Sequence, residues 1–307
     1  MGTPDFSVPT LSAIHNHTQI NIVKVVTMPD RKSGRGKKLQ APPVAIYAKE
    51  NNLPLIQAEN INSEEDLLNL EAVDLIIVIA FAQFLGSKVL ALPKLGCFNI
   101  HTSILPKYRG AAPIQYALLN GDLSTGVSIQ RMVKKMDAGD ICHFKECSIS
   151  ATETGASLFE KLQVLSAEEI TYFINNLIAN KITWTAQDER QITFAPSFIK
   201  KDGLINANNS QAIDIERKVR AFNPWPGTYC FINNKRIKVL EAQLSKQNIE
   251  TGKISTIQGT LLLGTIKGSI RLKTIQLAGK KACSDQQFIN GMRSSDKDFE
   301  FNYSIEE

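Results

Sequence analysis

The chain has 307 residues, more than one ordinary domain needs and enough for two. Its content, 43% hydrophobic and 21% charged, is ordinary for a soluble globular protein with a real core; no apolar run approaches membrane-spanning length, and MGTPDFSVPT lacks the basic start and apolar stretch of a secretory signal. The net charge of +5 is mild but uneven: residues 1–199 carry 18 Lys and Arg against 19 Asp and Glu, whereas residues 200–307 carry 17 against 11, so a polyanionic partner and a merely solvated basic surface are both open readings.

The first part alternates helix and strand patterns. VPTLSAIHN reads as a helix and INIVKVVTM as an apolar, β-branched strand. PPVAIYAKENN is a helix with Pro at its start, LPLIQ a short strand, and INSEEDLLNL a helix with a Ser cap and acids in its first turn. VDLIIVIA is almost wholly apolar, as strands of a sheet covered on both faces are. KVLALP is a short helix, GCFNI the next strand, and APIQYALLNG a helix ending at Gly121. GVSIQRMV and DICHFKECSI read as strands, and an amphipathic helix runs from about Thr154 to about Ala179. Repeated βα units predict an α/β domain with a doubly wound parallel sheet. From about residue 204 the pattern changes to short strands. TYCFINNKRIKVLEAQL predicts a hairpin turning at Asn233-Asn234, and the Gly-punctuated strands after it predict a small barrel of about five or six strands. Trp225, between two prolines, reads as an anchor packing that barrel rather than a base-stacking platform.

Chemistry concentrates where GCFNI ends. Asn99 and His101 are two apart, so an extended chain points both to one face, and Ser103-Ile104-Leu105-Pro106 follows as a rim. In an open parallel sheet the ligand crevice lies beyond the carboxyl ends of the strands. A further acid, Asp137, stands in Lys135-Met136-Asp137-Ala138-Gly139-Asp140, after the strand GVSIQRMV. A carboxylate can orient a histidine and keep it cationic, and an amide can donate to a forming oxyanion. The set suits acyl transfer to an amine, whose surplus proton needs an acceptor. Taken singly, His101 reads equally well as a satisfied structural histidine, Asn99 as a turn former and Asp137 as a loop acid. Five scattered cysteines, Cys97, Cys142, Cys147, Cys230 and Cys283, read as reduced cytoplasmic thiols, and no residue spacing suits a metal.

Asn99-x-His101-x-Ser103-x-Leu105-Pro106-x-x-x-Gly110 resembles the signature of the folate-dependent formyltransferases, and Asp137-x-Gly139-x-Ile141 resembles that family's second motif. Gly2-Thr3-Pro4-Asp5-Phe6, Pro29-Asp30-Arg31, Gly34-Arg35-Gly36-Lys37-Lys38, Arg109 to Gln115 and Arg220 to Pro226 are similar to landmarks of the branch that formylates methionyl initiator tRNA. The resemblance implies a Rossmann-like catalytic domain over residues 1–180, a linker over 181–203 and a C-terminal, OB-like β-barrel that binds tRNA over 204–307. It implies 10-formyltetrahydrofolate as donor substrate, the methionyl amino group of initiator tRNA as acceptor, no metal, and a monomer working in the cytoplasm for translation initiation. It assigns catalysis to Asn99, His101 and Asp137, and sets the tetrahydrofolate carrier against Ser103, Ile104, Leu105 and Pro106.

Residues 28–39 join a strand to a helix with an unusually long, basic, glycine-bearing connection, which is either a solvated loop or a phosphate reader. The resemblance implies a loop that orders on the tRNA acceptor arm, with Arg31, Arg35, Lys37 and Lys38 as contacts. In relatives a short apolar strand precedes the glycine turn at Gly2. Its absence here leads us to expect two buried strand edges without ladder partners, and a native start upstream of Met1. A formyltransferase acting on a small amine (an amino-sugar nucleotide or glycinamide ribonucleotide), a non-catalytic folate- or RNA-binding protein, and a formyltetrahydrofolate hydrolase are the alternatives.

Overall fold

The computed structural model describes residues 1–33, 36, 38–68, 70, 73–291 and 301–302. They fall into two compact units, one of residues 1–113, 124–148 and 159–196, the other of residues 114–123, 149–158 and Ser197 onward. The segment 181–203, expected as a linker, is therefore divided, with its part up to Pro196 in the first unit. Among the described residues no helix is long and apolar enough to cross a membrane.

The first unit holds strands β1 (Val25–Thr27), β2 (Arg31–Ser33), β3 (Lys38–Gln40), β4 (Leu55–Gln57), β5 (Leu75–Ile79), β6 (Gly96–His101), β7 (Ser124–Arg131) and β8 (Ile141–Ser148). Helices α1 (Ser7–His15), α2 (Pro43–Glu50), α3 (Glu65–Leu68) and α4 (Ser87–Leu90) alternate with them. Pro43 opens α2 because its missing N–H has no intrahelical partner to lose at that position. Helix α5 (Pro113–Asn120) stops at Gly121, whose φ of +70° is the left-handed value of a helix C-terminal stop. The long helix expected near 154–179 is α6 (Gly155–Ile178).

The unit is α/β, but its sheet is mixed. β5 and β6 are parallel, with Val78 opposite Asn99, and β1 and β4 are parallel. β7 runs antiparallel to β6, and β8 antiparallel to β7. This corrects the expectation of a purely parallel sheet. Residues 132–140 are too short a connection for the crossover that a parallel pair requires, so the chain reverses between β7 and β8. The apolar residues Val26, Ile56, Ile61, Leu67, Val78, Leu85 and Val89 form one core of this unit.

A discontinuity lies between β1 and β5. They belong to separate sheets, bridged by Met1 and Gly2: Gly2 N donates to Val26 O at 3.0 Å, Ile79 N to Met1 O at 3.0 Å, and the Met1 ammonium to Ile77 O at 2.6 Å. Beyond that bridge a cavity of about 380 Å³ opens, lined by Ile20, Ile22, Val26, Val73, Leu75 and Ile77 among others. Of INIVKVVTM, expected to be one strand, Val25 to Thr27 alone enter a ladder, because the preceding residues face this cavity rather than a neighbouring strand.

The second unit contains α7 (Ala212–Ala221), β9 (Thr228–Ile232), β10 (Lys235–Ser245), β11 (Ile254–Ile257), β12 (Thr260–Gly264), β13 (Ser269–Leu277), β14 (Cys283–Ser284), α8 (Asp285–Asn290) and β15 (Phe301–Asn302). The hairpin turns at Asn233 and Asn234 as expected, with φ of +49° and +57°, values Asn tolerates. The strands pair in the order β11-β12-β13-β10-β9-β15, with β14 added on β13. The unit is thus β-rich, and among the described residues its ladder does not close into a barrel. Ile215 and Val219, one helical turn apart on α7, join Leu261, Leu263, Ile270 and Leu272 in its core. Trp225 is half exposed, so it does not serve as the buried anchor expected.

Candidate active site

β6 is clamped between β5 and β7, which fixes its pleat and therefore the side-chain direction of Asn99 and His101. His101 is buried, and its Nε2 lies 2.8 Å from the carbonyl oxygen of Tyr108. A carbonyl only accepts, so Nε2 carries the proton of that bond. Nδ1 is then the nitrogen left for chemistry. It is an acceptor in the neutral ring and a donor only in the imidazolium.

The chain leaves β6 through a tight polar turn. Ser103 Oγ donates to Lys107 O at 2.6 Å, while Ser128 Oγ on β7 donates to Ser103 O at 2.7 Å and accepts from Leu105 N at 3.1 Å. The turn buries Ser103 and Leu105 and leaves Ile104 and Pro106 half-buried. Of the four residues expected to meet the folate carrier, Ile104 and Pro106 are the two with side chains partly open to solvent. Ser103 and Leu105 shape the turn from inside.

Asp137 reaches the same place from the loop between β7 and β8. Arg131 N donates to Asp140 O at 2.9 Å and closes the loop base. A Cβ at Gly139 would sit 1.7 Å from Arg131 O, so the loop requires glycine there. Asp137 itself has φ of +49°, a left-handed conformation that Asp tolerates better than most residues. Its Oδ1 accepts from Gln130 Nε2 at 2.9 Å and from Asn99 Nδ2 at 3.3 Å. Its Oδ2 accepts from Gly110 N at 2.9 Å and lies 3.7 Å from His101 Nδ1. The structure therefore brings Asn99, His101 and Asp137 together at the end of β6. Three donors orient the carboxylate, and its remaining lone pair faces the imidazole.

Sequence reasoning missed the residues behind this set. Gln187, in the segment read as a linker, donates from Nε2 to Asp137 O at 2.9 Å and to Gly139 O at 2.7 Å. Its Oε1 accepts from Arg109 Nε at 3.0 Å and Nη2 at 2.8 Å. Arg109 is buried and also meets Glu189 at 3.0 Å; Glu189 in turn meets Lys135 at 2.8 Å. The hydrogen bond from Lys135, then that from Arg109, hold the exposed Glu189 carboxyl below its ordinary pKa. The one signal was Arg109, which opens the landmark stretch Arg109 to Gln115. Burial pushes the thiols of Cys97 and Cys142 up to about 12, so neither is a thiolate nucleophile at neutral pH.

The basic connection is not a simple loop. β2 and β3 form an antiparallel hairpin with Arg31 opposite Gln40 and Ser33 opposite Lys38. Arg31 and Lys38 are exposed, and Arg31 pairs with Glu59 at 2.5 Å. Arg35 and Lys37 lie outside the described residues.

Residues 1–173 match the family model described as formyl transferase, and residues 198–293 match the formyl transferase C-terminal domain. The chain belongs to the formyl transferase family. This formyl transferase is 42% identical over 295 residues to a methionyl-tRNA formyltransferase of Thermotoga neapolitana, covering 95% of this chain and 94% of the relative. It is 37% identical over 296 residues to a methionyl-tRNA formyltransferase of Geobacter metallireducens, again covering 95% of this chain and 94% of the relative. Among solved structures, a sugar 3N-formyl transferase superposes with a TM-score of 0.67 at 20% identity, covering 91% of this chain and 97% of that one, which shows shared fold alone.

Proposed function

We propose that this protein transfers the formyl group of 10-formyltetrahydrofolate to the free amino group of methionyl initiator tRNA. The observation that carries the reading is the convergence of an amide and an imidazole from β6 with a carboxylate from the loop between β7 and β8, with Asp137 Oδ2 3.7 Å from His101 Nδ1 and Oδ1 3.3 Å from Asn99 Nδ2. Full-length similarity to methionyl-tRNA formyltransferases, at 37–42% identity, supports the acceptor.

The amine attacks the formyl carbon, a C–N bond forms, and the carbonyl oxygen becomes an oxyanion. Asn99 Nδ2 has two N–H groups; one meets Asp137 and the other is free to meet that oxygen. His101 can join only through Nδ1, because Tyr108 O holds Nε2–H, and therefore only as the imidazolium, whose charge Asp137 balances. Asp137 accepts the surplus amine proton, directly or through a water, and that proton passes to the folate nitrogen as its bond to carbon breaks and the carbonyl re-forms. The carrier would lie against Ile104 and Pro106 on a turn shaped by Ser103 and Leu105.

On the RNA side, Arg31 and Lys38 of the hairpin, and Arg35 and Lys37, which fall between them in the sequence, are read as contacts to the acceptor arm. On β10 the exposed Arg236 and Lys238 alternate with buried Ile237 and Val239, and Arg236 stacks on Tyr229 at 3.8 Å. We read this β-rich unit as an OB-like, barrel-type module supplying sequence-independent phosphate contacts. The reading includes a monomer working in the cytoplasm, with a Rossmann-like catalytic domain. The test is transfer of labelled formyl from 10-formyltetrahydrofolate to charged initiator tRNA, compared with charged elongator tRNA and with small amines. Strong preference for the initiator is expected. Formate release without acceptor, or preference for an amino-sugar nucleotide, would overturn it.

A further inference from the structure

We propose that Gln187 is a positioning residue for the reaction, holding the Asp137 loop so that the Asp137 carboxylate faces His101. The inference rests on the catalytic reading of Asn99, His101 and Asp137, and names the residue that sets their geometry. Partners on both sides fix the orientation of its amide. Arg109 Nε and Nη2 are donors, so the amide oxygen faces them; the carbonyls of Asp137 and Gly139 are acceptors, so the amide nitrogen faces those. The N–H groups of Gln187 thus serve the backbone on either side of Ala138, and Gln130 Oε1, whose own amide nitrogen meets Asp137, is a third and longer acceptor at 3.3 Å.

That backbone is what needs holding. Asp137 sits at φ +49°, and a left-handed residue other than glycine persists only when its surroundings over-determine it. With the carbonyls of the Asp137–Ala138 and Gly139–Asp140 peptides gripped, the turn through Ala138 is held at both ends, and the carboxylate stays within reach of Gly110 N, Gln130 Nε2 and Asn99 Nδ2. Arg109 strengthens the grip. Its buried guanidinium polarises the amide it binds, since a hydrogen bond to an ionised donor is stronger than a neutral one, and its charge is balanced by Glu189. Glu189 also reaches Lys135, two residues before Asp137. One short segment, 187–189, thus fastens the loop at Lys135, Asp137 and Gly139.

Gln187 touches neither reacting atom in this account, and its effect must pass through Asp137. Gln187→Leu keeps the size of the side chain and removes every hydrogen bond. Gln187→Glu keeps an acceptor for Arg109 but sets carboxylate oxygens against two carbonyls. Both are expected to lower kcat on the order of 10–10²-fold, the scale of a catalytic group misplaced by about 1 Å, with KM for each substrate within about threefold. The deciding measurement is a double-mutant cycle. In an Asp137→Ala background, Gln187→Leu should cause almost no further loss in kcat, because the group it positions is gone. Gln187→Glu, which keeps the acceptor for Arg109, covers the case of a Gln187→Leu variant that fails to fold. A folded Gln187→Leu enzyme with wild-type kcat overturns the proposal. So does a loss of equal size with and without Asp137, which would mark a purely structural role. If instead Asp137→Ala itself keeps full activity, the catalytic reading fails, an outcome distinct from failure of the positioning role.

Discussion

Two regions of the first unit treat buried polar groups in opposite ways. At the end of β6, Asp137 accepts three hydrogen bonds, His101 gives one ring nitrogen to Tyr108 O, and Gln187 donates to two loop carbonyls. Between β1 and β5, by contrast, Met1 and Gly2 carry the ladder, the Met1 amino group donates to Ile77 O, and a cavity of about 380 Å³ opens beside it. The difference shows where geometric precision is concentrated. A reaction that must meet a developing charge needs donors fixed in place beforehand. The far side of the sheet needs only to stay folded, and tolerates a gap.

The comparison breaks most visibly at the site. Asn99→Ala removes one donor from the oxyanion and one from Asp137. Single-turnover formylation is expected to fall by a factor on the order of 10²–10³, about 2.7–4 kcal/mol of transition-state stabilisation. Thermal stability should change little, since Asn99 Nδ2 makes only a long 3.3 Å bond in the resting protein. A variant that keeps near-full single-turnover rate would remove Asn99 from the chemistry.

At the gap the expected effect is on stability and depends on pH. Burial lowers the pKa of the Met1 ammonium from its ordinary 8.0 to about 5, against a small opposing influence of Cys97. Lys24 and Asp74 line the same cavity. The folded state then binds fewer protons at this group than the unfolded state between pH 5 and 8, so stability must rise with pH across that window. Each pH unit well inside it contributes about 1.4 kcal/mol, or about 2 kcal/mol between pH 5.5 and 7. Urea unfolding across this range should show the rise in the 307-residue chain and lose most of it when the amino terminus is acetylated. Identical slopes for the two forms would show that the ammonium stays hydrated.

How far the sequence discloses each region follows from the same contrast. Asn99 and His101 are legible because strand alternation is local: two residues apart on GCFNIH means one face. Asn233 and Asn234 are legible because few residues accept positive φ. The direction of β7 and β8 is not, since an apolar run reads the same in a parallel or antiparallel ladder. Gln187 is invisible because its role lies in bonds to residues about 50 positions away, and nothing in AQDER distinguishes a loop clasp from a linker. The turn at Ser103 misleads for a related reason. The motif draws the eye to four residues, but Ser128 on another strand decides which of them face inward.

The smallest expected effect lies at the basic hairpin, where neither burial nor a fixed network operates. Arg31 and Glu59 form an ion pair with side chains 59% and 65% exposed. Such a pair stabilises by no more than about 1 kcal/mol, so neither Arg31→Ala nor Glu59→Ala should move the melting temperature by more than a degree or two. Their effects on tRNA should nevertheless have opposite signs. Removing Arg31 deletes one phosphate contact and should weaken binding about two- to fivefold, with the slope of log affinity against log salt reduced by about one. Removing Glu59 frees Arg31 from a competitor for its guanidinium and should tighten binding slightly at low salt, an advantage that screening erases at higher salt. Equal, salt-independent behaviour of the two variants would mean that Arg31 is occupied by Glu59 in the complex as well, and that the hairpin is a solvated surface rather than an RNA contact.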